Sequence, residues 1–360
     1  MQKPSSVLIV KLSAIGDVIH ALPALDALRA QLPNARIGWL IEELSAPLLA
    51  HHPALDKVYI IPKKRWRGHI LQYLNSEIIP FYRGIRADQW DATIDFQSLF
   101  KSAFLARLSG AKLRVGFAGK YAREMSWLFN NRRIEDTRAD YHVALENMRL
   151  LEGLGLQMPA DPPHGTMAIL PEEQDAMRET LRTAGWSGEK FLALNPGAGW
   201  PNKRWPPSYF AQLGVMLSRR MNLKPMVLWA PGEEALRDEI LAGLRDVGGF
   251  AAPPTRIRDL AVLTSLCSLY VGGDTGPTHL AGLLRVPVIS IFGASDGTRN
   301  CPWPARGPNA AGVVMQRQDL ECEPCWMRSC PLTGDAHNAC LTGLKPEQIF
   351  ASAEPWLATL

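Results

Sequence analysis

The chain of 360 residues carries 39 Lys and Arg against 35 Asp and Glu, a net charge of +4, and is 47% hydrophobic and 21% charged. This is the composition of a folded globular protein with a sizeable core, and no apolar run reaches the roughly 18 residues that a membrane span needs. The length suggests two domains at roughly 150 residues each. The first apolar run, Val7 to Val10, is too short for a signal-peptide core and is followed by Lys11, so a cytoplasmic location is expected.

Val7 to Lys11 reads as a buried strand, Ser13 to Asp17 as a small-residue turn, and Val18 to Leu32 as a helix, with Ile19, Leu22, Leu25 and Leu28 at helical spacing and Pro23 in its first turns. Strands are expected at Arg36 to Ile41, Val58 to Ile61, Ala92 to Phe96 and Leu113 to Phe117, with a helix over Ser98 to Leu108. Residues 156 to 175 hold five prolines and glycines of a linker type, including Pro159, Pro162, Pro163, Gly165 and Pro171. The alternation then repeats: a strand at Phe191 to Asn195, a helix at Tyr209 to Arg219, a strand at Met226 to Ala230, helices from Ala235 and over Asp259 to Cys267, and strands at Leu269 to Val271 and Val286 to Phe292. Strands alternating with helices imply parallel sheets covered on both faces. The expected fold class is therefore α/β, with two Rossmann-like βαβ domains facing across a cleft and ligands at the C-terminal ends of the strands. The boundaries are 1–165, 175–345 and a C-terminal amphipathic helix, 346–360, that packs back on the N-terminal domain.

Between the last two strands lies Val271-Gly-Gly-Asp-Thr-Gly-Pro-Thr-His-Leu-Ala-Gly-Leu283. Two glycines let the chain turn sharply, and Asp274 or Thr275 can cap the following helix. A helix N-terminus presents unpaired N–H groups and a positive dipole end, which suits a diphosphate. An ordinary βα turn would look the same. In the first half, Asp17 follows Gly16 at a helix start, where it is either an N-cap or a general base accepting a hydroxyl proton. Lys203, in the Asn202-Lys-Arg-Trp-Pro206 loop after a strand, is either a phosphate ligand or a solvated loop lysine. Glu233, after Ala230-Pro-Gly, either accepts from a ribose diol or caps a helix. No Gly-Lys-Ser or Gly-Lys-Thr P-loop, no G-x-G-x-x-G after the first strand and no serine elbow occurs, which argues against an NTPase, a simple NAD dehydrogenase and an α/β-hydrolase.

Charge is unevenly placed. Residues 60 to 150 hold 16 Lys and Arg against 9 Asp and Glu, with Lys63, Lys64, Arg65 and Arg67 the densest run. This is either a solvated face or a surface for a polyanion or an anionic membrane. Four of the six cysteines cluster as Cys322-x2-Cys325-x4-Cys330-x9-Cys340. In a cytoplasmic chain that pattern suits structural tetrahedral zinc or iron better than disulfides, the alternative being four reduced thiols in a loop-rich segment.

Taken in order, Lys11-Leu-Ser-Ala-Ile-Gly-Asp-Val-Ile-His20, Asn202-Lys-Arg-Trp-Pro206, Ala230-Pro-Gly-Glu233 and Gly273-Asp-Thr-Gly-Pro-Thr-His279 resemble the family 9 glycosyltransferases, the ADP-heptose:lipopolysaccharide heptosyltransferases, over nearly the whole chain. Arg65-Trp-Arg67 and Phe96-Gln-Ser-Leu-Phe-Lys-Ser102 look most like the heptosyltransferase I branch, which acts on the Kdo residue of the inner core. The resemblance implies a GT-B fold and an inverting, metal-independent transfer of heptose from ADP-heptose to a Kdo-lipid A type acceptor. It implies Asp17 as catalytic base, and Lys203, Glu233, Asp274, Thr275, Gly276 and His279 at the donor. The basic first half then offers Lys64, Arg65, Arg67, Lys101, Arg123 and Arg132 to an anionic acceptor. Residues 195 to 199, Asn-Pro-Gly-Ala-Gly, depart from that branch, which has hydroxyl residues there; backbone N–H groups around Ala198 and Gly199 can replace them. Similar cysteines bind iron in autotransporter heptosyltransferases of the family. The alternatives are a relative with another donor or acceptor (a protein or another core sugar) and a non-enzymatic nucleotide-binding protein. No nucleic acid partner is expected. Peripheral contact with the cytoplasmic face of the inner membrane fits an acceptor embedded there, without a compelling amphipathic anchor.

Overall fold

The apolar runs form the inner strands of two parallel sheets. The computed structural model describes residues 3–135, 142–304 and 312–360. The chain divides into two units, Met1–Ala168 and Ile169–Leu360.

In the first unit, β1 (Ser6–Val10), β2 (Arg36–Glu42), β3 (Lys57–Ile61), β4 (Ala92–Asp95), β5 (Leu113–Phe117) and β6 (Arg132–Ile134) pair in parallel in the order β3-β2-β1-β4-β5-β6. Val7, Leu8, Ile9 and Val10 are all fully buried, because a central parallel strand is covered on both faces and so reads as an unbroken apolar run. The expected helix 18–32 is two helices, Ile15–Ile19 and Leu22–Gln31. Pro23 has no N–H to donate to the preceding turn, so the chain breaks at His20 and Ala21 and restarts with the proline in the new first turn.

The second unit repeats the plan. Strands β7 (Phe191–Asn195), β8 (Lys224–Val227), β9 (Phe250–Ala251), β10 (Leu269–Gly273), β11 (Val288–Ile291) and β12 (Gly312–Met315) lie in the parallel order β12-β11-β10-β7-β8-β9. Pro171, read from sequence as linker, instead opens the helix Pro171–Thr183, whose missing N–H costs nothing at that position. The C-terminal helix ends at Leu357. Its Ile349, Ala353 and Leu357 are buried in one cluster with Leu213 and Leu217 of the helix Pro207–Met221, inside the second unit.

In both sheets the chain starts at a central strand, runs to one edge, and returns to the centre to run to the other. The reversal falls between β1 and β4 in the first sheet and between β7 and β10 in the second. Loops leaving the C-terminal ends of such a strand pair diverge and leave a crevice, the usual ligand position in an open α/β sheet.

Candidate functional site

The loop after β1 carries Asp17, and the loop after β4 holds it in shape. Gln97 Oε1 accepts from the Leu12 and Ser13 N–H groups at 3.1 and 3.3 Å. Lys11 is buried; its ammonium donates to the Phe96 carbonyl at 3.0 Å and lies 3.9 Å from Asp17 Oδ1. Beneath them Asp95 is fully buried, its Oδ1 accepting from the Gln97 and Ser98 N–H groups at 3.1 Å each. Burial pushes the Asp95 pKa up, against the hydrogen bonds of Ser102, Ser98 and Asn130. Asp17 is the third residue of its helix. One oxygen accepts from the Ala14 N–H at 3.1 Å, while the side chain stays half exposed. Capping and a proton-accepting role are thus compatible: one oxygen orients the carboxylate, and the other, beside the Lys11 ammonium, belongs to a half-exposed side chain.

Of the basic candidates, Lys64, Arg65 and Arg67 follow β3, Lys101 follows β4 and Arg123 follows β5, so these belong to connections leaving the same end of the parallel sheet as Asp17. Arg132 does not: it opens β6, paired with Val115. Glu42, at the end of β2, binds Lys63 at 2.7 Å and Lys101 at 3.1 Å. Burial alone would raise the Glu42 pKa, but the two lysines outweigh it and hold it low. Arg65 pairs with Glu77 and stands 5.2 Å from the Tyr73 ring centroid. Lys64, Arg67 and Arg123 are exposed.

The second site is more tightly built. Asp274, at the end of β10, does not cap the helix Gly276–Leu283; Thr275 takes the N-cap position, with no side-chain cap bond. The Asp274 carboxylate instead gathers Lys203 and Ser295 on one oxygen and His279 Nε2, at 3.2 Å, on the other. Burial would raise its pKa, but the hydrogen bond and charge of His279 and the charge of Lys203 hold the carboxyl well below the usual carboxylate range. An anion does not bind a diphosphate; Asp274 instead holds Lys203 and His279, two groups that can donate hydrogen bonds to one.

The Asn202-Lys-Arg-Trp-Pro206 element is a rigid mount for Lys203. Asn202 is buried and donates to the Met327 carbonyl, Arg204 donates to the Ala198 carbonyl at 3.0 Å, and Trp205 is 1% exposed with its indole N–H on the Leu344 carbonyl at 3.0 Å. The mount comes so close to β10 that a Cβ on Gly273 would lie 2.8 Å from the Lys203 carbonyl oxygen. Only glycine permits that approach. Asn195, ending β7, donates to Thr275 Oγ1 at 3.3 Å across the same crevice.

Glu233 stands at the N-cap of the helix Glu234–Gly243, but its carboxylate turns back. It accepts from the Ala230 N–H at 3.0 Å, and a Cβ on Gly197 would fall 2.3 Å from Oε2. The acid therefore lies against the Pro196–Gly199 turn, beside Ala198 and Gly199. The second switch point brings Lys203, Glu233, Asp274, Thr275 and His279 together, with Gly276 opening the helix. Sequence reasoning missed Gln97, Asp95, Glu42, Asn195 and Ser295. Gln97 and Asn195 lay within quoted segments; the others had no local signal.

Cys322, Cys325, Cys330 and Cys340 line one largely apolar pocket with Leu320, Met327 and Leu332. Burial, then the charge of Glu323 and the other three cysteines, pushes the Cys340 thiol up to about 11. The four sulfurs are gathered, but among the described residues no three His, Cys, Asp or Glu side chains are arranged to hold a metal ion. Thiolate donors suit zinc or iron chemically.

The sequence profile of glycosyltransferase family 9 (heptosyltransferase) matches residues 78–334. Lipopolysaccharide heptosyltransferase 1 of Pseudomonas aeruginosa is 31% identical over 95% of this chain and 92% of its own length. Among solved structures, the family 9 glycosyl transferase of Veillonella parvula superposes with a TM-score of 0.80 at 20% identity, covering 99% of this chain and 98% of that one. E. coli heptosyltransferase WaaC with ADP-2-deoxy-2-fluoro heptose superposes with a TM-score of 0.72 at 25% identity, covering 97% and 99%.

Proposed function

Because the chain belongs to glycosyltransferase family 9, the heptosyltransferases, we propose that it moves heptose from ADP-heptose to a Kdo residue of the lipopolysaccharide inner core, with inversion and without a catalytic metal. Its two Rossmann-type units are those of a GT-B glycosyltransferase, and its place is in lipopolysaccharide core biosynthesis.

The observation that carries the finer reading is the division of labour between the two switch points. At the first, Asp17 presents an oriented, half-exposed carboxylate. At the second, Asp274 fixes Lys203 and His279. An inverting displacement needs both. Asp17 accepts the acceptor hydroxyl proton as that oxygen bonds to the anomeric carbon. The bond from that carbon to the diphosphate oxygen breaks, and the charge that develops on the diphosphate meets Lys203, His279 and the N–H groups opening the helix Gly276–Leu283. Glu233 accepts from the ribose diol, and Lys64, Arg65, Arg67, Lys101 and Arg123 receive the acidic acceptor.

The carrying experiment measures ADP release from ADP-heptose with a deacylated Kdo-lipid A acceptor. Acceptor-dependent release, unchanged by EDTA, supports the reading. Release with other core sugars or proteins but not with Kdo replaces the acceptor. The cysteine cluster is a separate proposal: a structural zinc or iron held by Cys322, Cys325, Cys330 and Cys340. Elemental analysis of protein purified without chelator checks it, and protein free of zinc and iron ends it. Among the described residues no helix is long and apolar enough to cross a membrane; contact with a lipid-borne acceptor is proposed to be peripheral.

A further inference from the structure

A group of exposed apolar side chains on the first unit takes no part in the chemistry above. On the helix Phe100–Leu108, Phe100 and Phe104 are 47% and 40% exposed, one turn apart, with their rings stacked at 6.3 Å. Phe129 sets its ring edge-on against both, at 5.2 and 5.6 Å. The helix packs against the short turn Ser126–Leu128, whose Trp127 and Leu128 are 42% and 51% exposed; Met125, just before it, is 55% exposed. Ser126 is buried and anchors the turn, while Glu124 and Met125 adopt φ of 50° and 59°. That left-handed backbone is unfavourable for residues other than glycine, and here it holds the apolar tip outward.

Single exposed apolar residues need no explanation, but adjoining ones mark an interaction surface. The segment that carries them is also strongly cationic. Residues 100–135 hold eight Lys and Arg against two Glu. Arg133 lies 6.0 Å from the Trp127 ring centroid, and Lys101, Arg107 and Arg123 flank the apolar side chains in sequence. Two copies of such a face repel each other, whereas an anionic lipid surface attracts the cations and accepts the aromatic rings at its headgroup boundary.

We infer that Phe100, Phe104, Met125, Trp127 and Leu128, carried on this cationic segment, dock the protein on an anionic bilayer; the inference rests on the proposed lipid-borne acceptor and names the face that meets its membrane. Short-range insertion of side chains plus electrostatic attraction gives reversible binding that fades as salt rises.

The test uses the full chain and vesicles of phosphatidylcholine with or without phosphatidylglycerol, free of any acceptor. Co-sedimentation with the anionic vesicles at low salt is expected, lost at high salt and absent with phosphatidylcholine alone. Met125→Asp with Leu128→Asp should weaken it about tenfold or more, while ADP release on the soluble deacylated acceptor stays within about twofold of wild type. Brominated lipids should quench part of the tryptophan fluorescence, and Trp127→Phe should remove that part. Equal vesicle binding by the double variant, no binding to anionic vesicles, or a self-association that the double variant abolishes would each overturn the inference. Loss of ADP release with vesicle binding intact counts against the transfer reading and leaves the docking face standing.

Discussion

Lys203 and Asp274 form an ion pair across the second switch point, 71 residues apart in the chain, with only 17% and 8% of their side chains exposed. Each holds the other in place, so a loop lysine is fixed beside the end of β10.

Removing the cation should cost catalysis more than folding. Lys203→Met should lower kcat/KM for ADP-heptose by about 10² to 10³, the range seen when one donor to developing charge is lost. Steady-state kinetics against both substrates check it; a change confined to the acceptor KM would move Lys203 out of the donor site.

Removing the anion should cost stability. Asp274→Asn leaves Lys203 partly buried without its counter-charge, which typically costs about 3 to 5 kcal/mol. The sign with pH follows from its lowered pKa: the stabilisation is present above the unfolded carboxylate value, about 4, and drains as pH falls below it. Urea denaturation of the variant and of wild type between neutral and acid pH reads both effects.

Much of the fold was legible because central parallel strands are covered on both sides and so appear as apolar runs: Val7 to Val10 and Phe191 to Asn195 are the clearest cases. Three strands escaped. Arg132–Ile134, Phe250–Ala251 and Gly312–Met315 all lie at sheet edges, where short, charged or small-residue segments suffice. The residues proposed to hold the donor were legible as motifs, but not their contacts. Asp274 looked like a helix cap because capping is local, whereas its actual partners, Lys203 and Ser295, come from other loops. Gly197 showed no purpose in sequence; only the folded chain sets Glu233 against it.

That contact is testable. Gly197→Ala should push the Glu233 carboxylate aside and raise the KM for ADP-heptose about tenfold, the scale of about one lost hydrogen bond, with kcat less affected. Calorimetric titration of ADP checks it, and unchanged affinity would separate Glu233 from the nucleotide.

The first unit should carry its own acid sensitivity. His52 is buried and its pKa is lowered to about 4, with desolvation the main cause, while the adjoining Asp26, 3.7 Å away, is raised by burial. A histidine kept neutral binds fewer protons folded than unfolded. Its contribution is full above about pH 6.5 and is lost as pH falls toward 4, about 3 kcal/mol in all. His52→Asn should flatten the stability profile over that window; an unchanged slope from pH 6.5 to 4 would assign it elsewhere.

The central claim is that Asp17 removes the acceptor proton. Single-turnover ADP release with ADP-heptose and the deacylated Kdo-lipid A acceptor tests it most directly, with wild type beside Asp17→Ala and Asp17→Asn. The account predicts a loss of about 10² to 10⁴ in the rate for both variants, with donor affinity and thermal unfolding unchanged. Transfer at the wild-type rate by a folded Asp17→Ala protein would contradict it.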